Sequence, residues 1–161
     1  MKTPATLDRA GIAARIPHQG TMCLLERLET WDERAIHCTT GTHRDPANPL
    51  RTASGLLAPC AVEYAAQAMA LHGALRAPEG EPPSPGYLAS VRDARFARAR
   101  LDEVDGPLHV RAEFVAGDLR QLLYRFTVAD ANGATLAEGR ATVVLNTPLP
   151  QAPASTQGSP P

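Results

Sequence analysis

Short alternating runs of apolar and polar residues dominate the chain, and they read as strands. MCLLERLETWD (22–32) and RAIHCTTGTH (34–43) predict two strands joined near Asp32–Glu33. Further runs follow at YLASVRDARFARA (87–99), PLHVRAEFVAG (107–117), LRQLLYRFTVAD (119–130) and ATLAEGRATVVLN (134–146). Gly117–Asp118 breaks one pair of runs, and Asn132–Gly133 supplies a hairpin turn for the next. One stretch departs from this pattern. From about Pro59 to His72 the residues favour helix, with Pro59 suited to the first turn and Gly73 expected to stop it. Apolar residues occupy nearly every face of that helix, so it needs burial on most sides. One apolar helix among about six strands predicts an α+β fold in which an antiparallel sheet curls around a central helix.

Glu63 is the only charged residue in AVEYAAQAMA (61–70), and Gln67 stands one turn away on the same face. Two readings compete for this glutamate. Near the helix start it can meet free amides and solvent and take no part in chemistry. Lining a dry slot, it would instead be pushed toward its protonated form and suit acid–base work. Gln67 would then hold the carboxylate or a substrate group, its bland alternative being a satisfied core amide. The amides near Cys60 and Ala61, at the helix start, are candidates to stabilise a developing oxyanion.

A carboxylate of this kind needs a partner base. Of five histidines, His72 closes the helix, while His37 and His109 lie within strands. His18 stands in IPHQGTM (16–22), bracketed by Pro17 and Gly20, and His43 stands in THRDPANPLR (42–51) upstream of the helix. Those two are the better placed.

Composition narrows the function classes. The 161 residues suit one domain, with Lys+Arg 16 against Asp+Glu 17 and a net charge of −1. That balance gives no electrostatic reason to expect nucleic acid or an anionic membrane as partner. Arg92, Arg95, Arg98 and Arg100 do cluster, as a solvated face or as a small patch for an acidic or phosphate-bearing carrier. Cys23, Cys38 and Cys60 are too scattered for a disulfide framework or a thiolate metal site. No apolar run approaches membrane-spanning length and no signal segment is visible, so a cytoplasmic protein is expected. Residues 1–14 read as a loosely attached arm, RAPEGEPPSPG (76–86) as a proline-rich loop, and 147–161 as a disordered tail.

Four segments together resemble the 3-hydroxyacyl-(acyl carrier protein) dehydratases of the hotdog fold. IPHQGTMCLLERLETWD is similar to the opening that precedes their first strand. VEYAAQAMALHG resembles their central helix, placing Glu63 and Gln67 on the family's Glu and Gln positions. GYLASVRDARF and RATVVLN resemble the following and closing strands. The likeness covers residues 12–146, taken as one hotdog domain, and runs closest to the divergent dehydratases of aryl-polyene biosynthesis. It implies a site at a subunit interface that combines a histidine of one subunit with the helix acid of the other. It also implies a thioester substrate on a carrier protein's phosphopantetheine arm, and no metal or redox cofactor. One feature departs from the family. Its usual histidine stands fourteen positions before the acid, where this chain has Pro49. His18 matches the family's Pro-His pair, and His43 reaches the slot only if its loop folds back.

Dehydration of a 3-hydroxyacyl thioester is therefore the leading expectation, with Glu63 as acid and His18 or His43 as base. Two others stand beside it. A carboxylate without a histidine suits an acyl thioesterase, and the missing histidine suits a noncatalytic or half-site subunit of a dehydratase heterodimer; pairing as a homodimer or as a heterodimer with a second hotdog subunit both stay open.

Overall fold

The alternating runs become one antiparallel sheet. The computed structural model describes residues 4–81 and 86–145. Its strands are β1 (Arg27–Trp31), β2 (Ala35–Thr40), β3 (Gly86–Phe96), β4 (Leu108–Gly117), β5 (Gln121–Ala129) and β6 (Thr135–Leu145). Across the sheet they run β1-β2-β4-β5-β6-β3, so β3 crosses over to the far edge. Period-two alternation separates the two faces. Val110, Ala112, Tyr124, Phe126, Val128, Ala137 and Ala141 are buried on the inner one. On the outer face Glu113 registers with Arg125, Arg125 with Arg140, and Arg140 with Arg92. The tail at 147–161, with Asn146 and residues 82–85 of the proline-rich loop, lies outside the described residues.

The inner face wraps helix α2, Ala61–Arg76. None of its sixteen residues is exposed, as its all-round apolar character requires. Tyr64, Ala65, Gln67, Ala68, Leu71 and His72 are fully buried. Each large apolar side chain sealed this way contributes about 1.5–3 kcal/mol before entropy is set against it. This is the hotdog arrangement. The helix passes through Gly73, where it was expected to end, and stops after Arg76. Gly73 costs a helix about 1 kcal/mol, which burial outweighs. Ala77 precedes Pro78, a position from which the α conformation is sterically barred, and it is extended at ψ 144°. Proline stops this helix, not glycine.

The expected turns form where the sequence placed them. Gly133 adopts φ +85° between β5 and β6, and Asp118 accepts from the amides of Arg120 and Gln121 between β4 and β5. β1 is shorter than expected, because Leu24 spends its amide on Gln67 and its carbonyl on Thr40 and Thr42, and Met22 ends a single 3₁₀ turn, residues 20–22. Such a turn satisfies its amides locally and so competes with strand pairing. The clustered arginines divide. Arg92, Arg95 and Arg98 are exposed, whereas Arg100 is half-buried on the Asp102 carboxylate.

The N-terminal arm is no loose appendage. A short helix, α1 (Arg9–Ala13), is capped by Asp8, whose Oδ1 accepts from Gly11 N at 2.8 Å. Leu7 pairs with Leu28 of β1, Trp31 Nε1 donates to Pro4 O at 3.0 Å, and Ile12 is fully buried. A five-residue helix with a single buried residue leaves no periodicity to read.

The turn that feeds α2 depends on Gly55, which stands at φ +94°. A Cβ there would meet Arg100 Nε and Asp102 Oδ1 at 2.6 Å. Gly55→Ala is expected to cost about 1–2 kcal/mol from the left-handed backbone alone, and more as that ion pair is displaced. Urea unfolding of the two proteins checks it.

Candidate active site

Glu63 lies in the first turn of α2, at the wall of the core. His18 comes from the segment between α1 and β1, and its Nε2 stands 3.1 Å from Glu63 Oε1. Gln67 Nε2 donates to the same oxygen at 3.3 Å. Glu63 Oε2 takes no hydrogen bond among the described residues. The side chains of His18 and Glu63 keep 24% and 33% of their exposure, so the pair is partly open to solvent.

Gln67 is the anchor of this arrangement. Fully buried, its Oε1 accepts from Leu24 N at 2.9 Å and its Nε2 donates to Met22 O at 2.7 Å. One side chain thus ties the helix to the segment leading into β1 while steadying the carboxylate. Both of its N–H groups and one lone pair of its carbonyl oxygen are engaged by protein groups. The holder of Glu63 and the satisfied core amide are both present in this geometry; donation to a substrate would require one of those N–H bonds to open.

Hydrogen bonding decides the charge of Glu63. The His18 contact, chiefly, and the Gln67 amide hold its pKa below the ordinary carboxyl value against the opposing effect of burial. The expected push toward the protonated form is therefore reversed in the free chain. The expected oxyanion site also changes. Cys60 N donates to Leu57 O at 3.0 Å and Ala61 N to Ala58 O, because a 3₁₀ turn at Ala58–Cys60 precedes the helix. Neither amide is free. Glu63 accordingly meets His18 and Gln67 rather than unpaired helix amides.

His43 is placed elsewhere. It is fully buried with Nε2 2.9 Å from Val104 O, and desolvation lowers its pKa toward the neutral ring. No contact joins it to Glu63. The surrounding segment, where the family's histidine was sought, is fastened inward by a network that sequence reading missed. Tyr64 Oη lies 2.9 Å from both Thr42 Oγ1 and Asn48 Nδ2, and Thr42 Oγ1 donates to Leu24 O at 2.7 Å. Burial pushes the Tyr64 hydroxyl up to about 12, so it stays protonated. His72 lies within the helix rather than closing it, and it bridges Tyr124 Oη and Asp32 O. His37 and His109 bond each other at 2.9 Å across β2 and β4.

An antiparallel sheet wrapped around a helix that carries one carboxylate beside a histidine defines a hotdog protein. The chain belongs to the ApeP dehydratase family, whose model matches residues 10–154. That bears out the resemblance to the aryl-polyene dehydratases. Among solved structures, it is similar to the dehydratase heterocomplex ApeI:P from Xenorhabdus doucetiae, at 22% identity and a TM-score of 0.75. That match covers 84% of this chain and 91% of the other. A thioesterase from Haemophilus influenzae is similar at 14% identity and TM-score 0.62, covering 86% and 90% of the two chains. A mutant thioesterase from Pseudomonas aeruginosa follows at 16% and 0.56, covering 74% and 79%. These likenesses establish the fold. No curated protein sequence matches the chain significantly. Among the described residues no helix is long and apolar enough to cross a membrane.

Proposed function

We propose that this chain dehydrates a 3-hydroxyacyl thioester, carried on the phosphopantetheine arm of an acyl carrier protein, to the 2-enoyl thioester. The observation that carries the reading is the 3.1 Å contact between His18 and Glu63 at the start of an apolar helix. His18 takes the C2 proton, which the adjacent thioester carbonyl makes acidic. The electron pair left at C2 becomes the new double bond as the C3–O bond breaks. Protonated Glu63 gives its proton to the departing hydroxyl, and water leaves. Proton return from His18 to Glu63 across their contact resets the pair, with no cofactor required. The free chain holds Glu63 as a carboxylate. Substrate entry displaces water from the pair, and desolvation then favours neutral imidazole with carboxylic acid over the charged alternative.

The reading includes a second hotdog subunit. Among the described residues β3 is an eleven-residue edge strand bonded only to β6, whereas the opposite edge, β1, is partly covered by Leu7. An open edge of that length is a template for pairing with another sheet. The similar ApeI:P structure is itself a heterocomplex, which supports a different chain over a second copy.

The carboxylate state of Glu63 favours thioester hydrolysis as a second reading. One assay separates the two. The chain is incubated, alone and with a companion hotdog dehydratase subunit, with short and polyunsaturated 3-hydroxyacyl carrier proteins. Loss of one water with the thioester retained is the expected product by mass spectrometry. Release of free thiol supports hydrolysis, and no water loss under either condition overturns the dehydratase reading.

A further inference from the structure

We propose that Arg9, the first residue of α1, is a positioning residue for the His18–Glu63 pair. The proposal rests on the reading of that pair as the reacting groups. His18 makes none of the backbone hydrogen bonds that brace the turns and loops of the described residues, so its place depends on what grips the chain on either side. Before it, Ile16 is buried, and Gln19 Nε2 donates back to Ala13 O at 2.7 Å and Ile16 O at 3.1 Å. After it, the chain reverses at Gly20, φ +59°, with nothing within 4 Å of where a Cβ would stand. The glycine there serves the backbone and fills no tight space; the turn closes on its own bonds, Met22 N to Gln19 O and Cys23 N to Gly20 O, but its place against α2 is left to side chains.

Two side chains fix that place. Gln67 holds Met22 O and Leu24 N from the helix side. Arg9 Nη2 donates to Gly20 O at 3.2 Å and Cys23 O at 2.9 Å from the other side, spanning the turn. A charged donor gives the stronger kind of hydrogen bond, and one nitrogen shared by two carbonyls fixes their separation. Arg9 is itself held by elements that anchor α1: the Asp8 cap, the Leu7–Leu28 pairing and buried Ile12. The N-terminal segment thereby sets the height at which the imidazole meets the carboxylate. Catalysis tolerates displacements of that contact poorly.

The test uses the full chain with Arg9→Met, which keeps an apolar stem, and Arg9→Lys. Carbon-detected NMR titration of Glu63 reads the pair directly, independent of turnover. In Arg9→Met its pKa is expected to rise toward the value found in His18→Ala, with Arg9→Lys between that and wild type. With the companion subunit and 3-hydroxybutyryl carrier protein, Arg9→Met should lower kcat about tenfold with little change in KM. The double variant Arg9→Met/His18→Ala should be no slower than His18→Ala alone. A wild-type Glu63 titration in folded Arg9→Met, or additive losses in the double variant, overturns the proposal. If His18→Ala is fully active, the dehydratase assignment of His18 fails, yet the titration still decides whether Arg9 positions the pair.

Discussion

Glu63→Gln is expected to reduce dehydration at least ~100-fold, the lower range for removal of a general acid, while the protein stays folded. Glutamine fills the same volume and still offers an oxygen to His18 and to Gln67, which now meet at Glu63 Oε1. What disappears is the titrating proton. The pH dependence of stability supplies an independent check. Because the folded-state pKa of Glu63 is depressed, its stabilising contribution is present above the unfolded carboxyl value and is lost as pH falls through the folded one. The variant should therefore lose part of the acid dependence of its melting temperature. The effect is small, since the side chain is a third exposed. Steady-state rates on a 3-hydroxyacyl carrier protein and thermal melts across pH 3 to 7 (roughly the carboxyl range) measure both effects. A variant that retains wild-type turnover sinks the acid role.

The legible parts of this protein are those where one local rule acts alone. The strand runs alternate cleanly, and the apolar circumference of α2 has only one solution, burial by a wrapped sheet. Glu63 stands out as the one charge in an apolar helix, with Gln67 one turn along the same face, and His18 by the Pro17 and Gly20 that bracket it. Readings failed where two rules competed or where distant parts meet. Gly73 and Pro78 both punctuate the helix end, and sequence order does not say that burial carries the helix past the first. The amides of Cys60 and Ala61 should be free by the helix-end rule, but the 3₁₀ turn before the helix consumes them. Tyr64, Thr42 and Asn48 share one hydroxyl network, although irregular chain separates them and nothing periodic marks their meeting. Arg9 was hidden for a plainer reason. Its helix is too short to show a pattern, and its acceptors are backbone carbonyls that carry no residue identity.

Of the two histidines weighed as base, the geometry separates their variants sharply. His18→Ala is expected to match the Glu63→Gln defect, at least ~100-fold in turnover, with little loss of stability, because the ring is partly exposed and its Nδ1 has no partner among the described residues. It should also raise the Glu63 pKa. The contact with His18 is the largest influence lowering it; burial, which raises it, outweighs what Gln67 contributes. His43→Ala should behave in the opposite way. Its ring is fully enclosed and bonded to Val104 O, so its loss leaves a cavity and strands a carbonyl. That combination costs about 1–3 kcal/mol, read as a lower unfolding midpoint, while turnover per folded molecule stays within a few-fold of wild type. If His43→Ala instead abolishes turnover in folded protein while His18→Ala stays near wild type, the base is His43 and its loop must open to reach Glu63. If both histidine variants turn over normally and only Glu63→Gln is inactive, the base comes from the companion subunit, and this chain supplies the acid half of a shared site.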